Sequence, residues 1–282
     1  MPDYDAGFKI VARAAGPRRP QMAGIVCDKY EPIGGEVQAT ERLADRAFRA
    51  QSGEERFVVY MEAYTRWQEA APWSILVKSG LLSERERLPT VSLVYVLLPR
   101  GYRSQRGRIR LSANGSVCQM VCFREICLWK ETPQPWWEDS PGLMALYPFC
   151  RHGLRSADAL THAASAIRNG ESDSLIRANL LTTLAIFGKL VDRKVDVLGL
   201  IGRQQMKESP LYQEIMDEGK IETARTCLQA VLDGRFGNKA TPFTKAIHGI
   251  NDEASLLRLH RLAIRCRGLA EFKRGLSEEA LS

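Results

Sequence analysis

The chain reads as a mixed α/β protein: a central sheet flanked by helices, then an all-helical C-terminal region. Three observations predict this. Two largely apolar, β-branched runs, FVVYMEAY from Phe57 and VSLVYVLL from Val91, have the composition of buried strands. Between them, PWSILVKSGLLSERE carries its apolar residues at helical spacing. Beyond Pro148 strand-like sequence gives way to apolar residues recurring every three or four positions. A length of 282 residues suits more than one compact unit.

The opening DAGFKIVARAA has helical composition and stops at GPRRP, where Pro17 and Pro20 prevent continuation. After Gly34 and Gly35, EVQATERLADRAFRA spaces Val37, Ala39, Leu43 and Ala47 among polar residues, and QSGEE supplies a turn into FVVYMEA. This predicts a β-hairpin. A two-residue loop Gly53-Glu54 suits a type II′ turn, which wants glycine first. Opposed residues then have numbers summing to 107, so Ser52 faces Glu55 and Asp45 faces Glu62. A four-residue loop keeps that pairing, whereas a bulge or an odd-length loop destroys it.

The next segment predicts a helix with Ile75, Leu76, Ser79 and Leu82 on one line, ended by Pro89, and Lys78 reads as one of its solvated lysines. VSLVYVLLP suits a strand covered on both faces. RIRLSANGSVCQMVCFREICLW predicts two strands around an Asn114-Gly115 turn. The proline-rich stretch from Pro133 to Pro148 reads as a linker or wrapping loop. These features divide the chain into a sheet domain over 1–150, a helical extension over 151–208 and a C-terminal helical region over 209–282. In the last region Ser209-Pro210 opens a long helix, with Gly219 as a weak point and Gly234 or Gly237 as the stop, and Asn251 opens a final helical section.

Composition narrows the function classes. A hydrophobic share of 45% with 26% charged residues excludes a fibrous or disordered chain. No run of ~18 consecutive apolar residues occurs, so no membrane span is expected, and the acidic MPDYDAGFKI lacks the pattern of a secretory signal. A cytoplasmic location is the expectation. Seven cysteines, an odd number, read as reduced core thiols; a zinc site drawn from Cys118, Cys122, Cys127, Cys150 and His152 would lack any CxxC pair. The net charge of +7 permits a polyanion partner, and RGYRSQRGRIR, Arg100 to Arg110, concentrates five arginines in a solvated turn or a phosphate-contacting loop.

Glu62 sits inside the end of an otherwise apolar strand. Opposed side chains on one sheet face have Cβ atoms ~4.5–5.5 Å apart, so the pair Asp45 and Glu62 would repel unless compensated. A proton, an arginine such as Arg46, Arg56 or Arg66, or a hard cation could do so, and a solvated pair at the strand ends is the plain alternative. Tyr64, two residues on, shares the face of Glu62.

An aspartate on one strand, TERLADRAFRA, and a glutamate ending the next, VVYMEAYTRW, followed by a helix, resemble the PD-(D/E)XK nuclease superfamily. YDAGFK near the N-terminus, ICLWKETPQPWWEDSPGLMALYP, KESPLYQEIMDEGK and VLDGRFG are similar to segments of its Rpn branch, transposase-like recombination-promoting nucleases. The resemblance implies a restriction-endonuclease-like fold and Mg²⁺- or Mn²⁺-dependent hydrolysis of DNA. It implies Asp45 and Glu62 as metal ligands, with the carbonyl of Ala63 as a further one. Arg66, Arg103, Arg106 and Arg108 are the candidates for contacting DNA. Tyr64 occupies the position where the family carries lysine or glutamine, and a phenol is neutral at pH 7, so weakened activity is expected. Lys78 on the following helix is a substitute within reach, and Asp5 is a possible added acid. Two other functions are compatible with the same residues. One is a catalytically inactive relative that binds DNA or protein; the other is homo-oligomer formation through the C-terminal helices, using Leu211, Ile215, Leu228 and Leu232 if these are not ordinary core.

Overall fold

The structure, a computed structural model, describes residues 46–102, 107–113 and 116–279, the strand at 29–33, and the helical positions Gly7, Ile10, Val11, Ala14 and Ala15. The chain forms two compact units, 1–211 and 212–282. The division falls close to the expected start of the last helical region at 209, while residues on both sides of 150 share one unit.

Among the described residues of the first unit, the main sheet has the strand order β1-β2-β3-β4-β7, with β1 at Lys29–Ile33, β2 at Arg46–Ser52, β3 at Glu55–Tyr64, β4 at Thr90–Val96 and β7 at Arg124–Cys127. β1, β2 and β3 are antiparallel, whereas β3, β4 and β7 are parallel, so the sheet is mixed as expected. β1 is an unforeseen strand. Its sequence KYEPI holds Pro32, which removes a ladder donor and is tolerated at the edge position this strand occupies.

The β2–β3 hairpin has the predicted register. Ser52 pairs with Glu55 and Arg46 with Met61. Gly53 has φ of +58° and Glu54 is not in the positive-φ region, as a type II′ turn requires. Asp45, the residue before β2, lies outside the described residues.

Helix α1, Ala71–Glu86, connects β3 to β4 and packs against both. Its buried line is Ala71, Pro72, Ile75, Lys78 and Leu82, so a lysine takes the place expected for Leu76 and Ser79. The helix ends at Arg87, whose φ of +55° is left-handed, two residues before Pro89. One face of the sheet joins this helix in a cluster that includes Val58, Tyr60, Tyr64, Ile75, Leu82, Val94 and Val96. On the other face Val59, Met61, Leu93 and Tyr95 are fully buried, which accounts for the uninterrupted apolar run of β4.

The expected pair of strands after β4 is three. β5, Arg108–Ala113, and β6, Ser116–Cys122, form a separate two-stranded sheet, and the chain then passes through Phe123 into β7 of the main sheet. Gly107 anchors this departure: its φ is +69°, its carbonyl accepts from the Phe123 amide at 2.8 Å, and a Cβ there would lie 2.7 Å from the Phe123 carbonyl oxygen.

The stretch 133–148 is packed core rather than linker. It folds into short helical turns, including α2 at Pro141–Met144, and buries Trp137, Leu143, Met144 and Leu146. Gly142 permits close approach of the N-terminal helical residues, since a Cβ would sit within 2.3 Å of the Ala15 amide nitrogen. Helices α3, Ser156–Gly170, and α4, Ser174–Val191, pack together, with Gly188 against Leu160. The Asp173 side chain caps α4 by accepting from Ile176 N at 2.9 Å. By length and composition α4 could cross a bilayer, but it carries Arg177 and Lys189 and is half buried inside this unit. Two short helices, α5 at Val197–Ile201 and α6 at Arg203–Met206, complete the unit, and the Arg168 guanidinium holds the Ile201 carbonyl at 2.9 Å.

In the second unit α7, Pro210–Phe236, runs unbroken through Gly219 and stops before Gly237, which has φ of +58°. Helices α8, Thr244–His248, α9, Glu253–Arg265, and α10, Leu269–Glu279, pack on its C-terminal half. Leu228, Leu232, Leu256, Leu259 and Phe272 form the core, so two of the residues considered for oligomer contact are core of their own unit. Asp252, one residue after the expected start, caps α9 through Ser255 N at 2.7 Å.

Candidate active site at the end of strand β3

Alternation along β3 puts Tyr60, Glu62 and Tyr64 on the face that α1 covers. Glu62 is 4% exposed, and its carboxylate takes three side-chain hydrogen bonds. Tyr60 donates its hydroxyl to Oε2 at 2.6 Å. Ser74 Oγ donates to Oε1 at 3.0 Å and Lys78 Nζ to the same oxygen at 2.5 Å. Ser74 and Lys78 are four apart on α1, so one face of the helix delivers both donors.

Lys78 is 8% exposed, which overturns its reading as a solvated helix lysine. The physical reason is position: it continues the line from Ile75 to Leu82, so its stem is buried with the apolar residues and its ammonium must find a counter-charge inside. Removing either partner of such a pair leaves an uncompensated buried charge and costs ~3–5 kcal/mol.

An ionised carboxylate has about four lone-pair positions. Oε1 accepts two bonds and Oε2 one, which leaves acceptor capacity on Oε2. Oε2 can therefore take a further partner, and Glu62, Asp45 and the Ala63 carbonyl would together make an all-oxygen donor set of the kind Mg²⁺ and Mn²⁺ prefer. Ala63 is half-buried in β3, next to Tyr64, whose carbonyl accepts from Leu97 N at 2.9 Å. Among the described residues no three His, Cys, Asp or Glu side chains gather as a metal-binding group.

Tyr64 is a core residue, 8% exposed, with its ring 6.1 Å from that of Trp67. Trp67 stacks on Phe123 and meets Tyr102, which in turn meets Trp129 and lies under Lys130. Of the arginines expected to contact DNA, Arg66 and Arg108 are exposed. Arg103, Arg106 and the possible added acid Asp5 lie outside the described residues. Burial pushes the thiols of Cys127 and Cys150 above the ordinary cysteine range.

Sequence reasoning missed Tyr60 and Ser74, and it read Lys78 chiefly as a solvated lysine with reach to the site as the alternative. The signals existed: Tyr60 precedes Glu62 by one strand period, and Ser74 precedes Lys78 by one helical turn. Comparison with family models, with curated proteins and with solved structures found no match.

Proposed function

We propose that this chain is a metal-dependent DNA endonuclease of restriction-endonuclease-like fold, of the Rpn kind. Asp45, Glu62 and the Ala63 carbonyl would hold Mg²⁺ or Mn²⁺, and Lys78 takes over the function that the resemblance places at position 64. The observation that carries this reading is the buried ion pair of Glu62 and Lys78 at the end of β3, 2.5 Å apart. The hairpin register supports it, because the pairs from Ser52–Glu55 to Arg46–Met61 all have numbers summing to 107, the sum on which the expected pairing of Asp45 with Glu62 rests. A bound divalent ion supplies charge neutralisation at the scissile phosphate and a more acidic water.

The chain's own residues do the rest. Tyr60 and Ser74 fix the carboxylate so that it needs no reorganisation to meet a cation. An ammonium has three donors, of which Glu62 takes one, and the others suit a water or a phosphate oxygen. Tyr64 contributes packing. Arg66, Arg103, Arg106 and Arg108 attract the polyanion and offset the acidic residues.

One observation favours a second reading, an inactive relative that binds DNA or protein. The ion pair by itself neutralises Glu62, so the site is electrostatically complete without a cation. Nicking of supercoiled plasmid in Mg²⁺ or Mn²⁺ separates the two. The endonuclease reading expects cleavage by the native chain and none by Asp45→Ala, Glu62→Ala or Lys78→Met. Cleavage that survives the first two substitutions removes the site, and no cleavage with either metal leaves the inactive relative.

A further inference from the structure

Over residues 108–110 and 120–122 the two-stranded sheet β5–β6 has one face turned inward and one turned out. Ile109 and Val121 pack into the cluster that contains Tyr64, Ile75 and Tyr60, whose hydroxyl bonds Glu62. Arg108 and Arg110 on β5 are exposed, as are their directly paired partners Cys122 and Met120 on β6. All four therefore share the outer face. Neither arginine makes an ion pair among the described residues, in contrast to Arg49, Arg155, Arg225 and Arg258. Two unpaired guanidinium groups are spaced one strand period apart, ~7 Å, on a ribbon whose root is clamped at Gly107 and Phe123.

We propose that this outer face is a docking surface for the phosphate backbone of duplex DNA, with Arg108 and Arg110 contacting phosphates of one strand. The inference rests on the endonuclease reading for its choice of DNA among polyanions. Charge complementarity supplies the attraction, and a two-stranded ribbon has the width to lie along a duplex groove. Arg110 belongs to the arginine-rich segment Arg100 to Arg110 but was not among the individual arginines expected to contact DNA. Because the inner face is seated on the cluster that contains Tyr60, the ribbon holds bound duplex in fixed relation to the end of β3.

The test uses the full chain and a short fluorescent duplex, with anisotropy read over a range of salt and no divalent metal present. Arg108→Gln with Arg110→Gln should flatten the plot of log Kd against log salt by about two, and the matching double lysine variant should restore the native slope. Cys122, paired opposite Arg108, is the second readout: duplex should slow its alkylation at least several-fold and leave exposed Cys227 in the other unit unaffected. An unchanged slope, an unprotected Cys122, or equal loss of binding to single-stranded RNA overturns the proposal. Binding that behaves as expected in a protein that cleaves nothing removes the hydrolase reading and leaves the ribbon in place.

Discussion

Both units put basic side chains to structural use, but to different ends. In the second unit the guanidinium of Arg235 satisfies the carbonyls of Ala263, Ile264 and Cys266 at the end of α9, and Arg225 does the same for Ile250 while bonding Asn251. Arg235 completes a helix end, whose last carbonyls have no partners of their own and whose dipole favours positive charge, and Arg225 holds the loop between α8 and α9. In the first unit Lys78 lies in mid-helix, where every backbone carbonyl is already bonded, and neutralises a carboxylate in mid-core. Hydrophobic residues in both places would fold at least as well. On the proposed reading the charge of Lys78 serves chemistry rather than folding, and that separates the pair on β3 from the arginines of the second unit.

Substitutions that break this contrast have graded effects. Lys78→Met should cost ~3–5 kcal/mol in urea unfolding of the native chain and abolish nicking, whereas Lys78→Met with Glu62→Leu should recover most of the stability and none of the activity. Full activity in the double substitution would place the chemistry elsewhere. Arg235→Met should lose ~1.5–3 kcal/mol, seen as earlier melting of residues 212–282 by hydrogen exchange, with nicking unchanged. Gly142→Ala tests the close contact with the N-terminal helical residues. Pushing a methyl against the Ala15 backbone should cost ~1–3 kcal/mol by thermal denaturation, and a neutral result would mean that the contact is loose.

The smallest effect concerns Glu86. Burial raises its pKa, but hydrogen bonds from Arg49 and Arg85, with their charges, outweigh this and hold it below the usual carboxylate value. A depressed folded-state pKa gives stability that is present above the unfolded pKa of ~4.3 and disappears as pH falls through the folded value. Arg49→Gln should therefore cost no more than ~1 kcal/mol at pH 7 and make less difference below pH ~4, as read from urea midpoints at the two pH values.

The hairpin was legible because a glycine-first turn and period-two alternation leave one register, and Gly53 meets the turn's backbone demand. Lys78 was not, because hydropathy patterning treats every lysine as solvent-facing. Only the position of Lys78 between Ile75 and Leu82, read against an unexplained glutamate one strand away, identifies the pair. β1 was hidden by Pro32, which reads as a strand breaker until its edge position is known. The segment 133–148 misled through its prolines: they stop long helices, yet they start short ones, and the apolar residues between them are core.

In the proposed function Glu62, with Asp45, grips a divalent ion beside Lys78. Titration of the full chain with Mn²⁺, followed by calorimetry, is its most direct test. One ion per chain is expected, with affinity reduced at least ~10-fold by Asp45→Asn and by Glu62→Gln, a loss of ~1.4 kcal/mol each. Binding of Mn²⁺ that is indifferent to both substitutions, or no binding by the native chain, contradicts it.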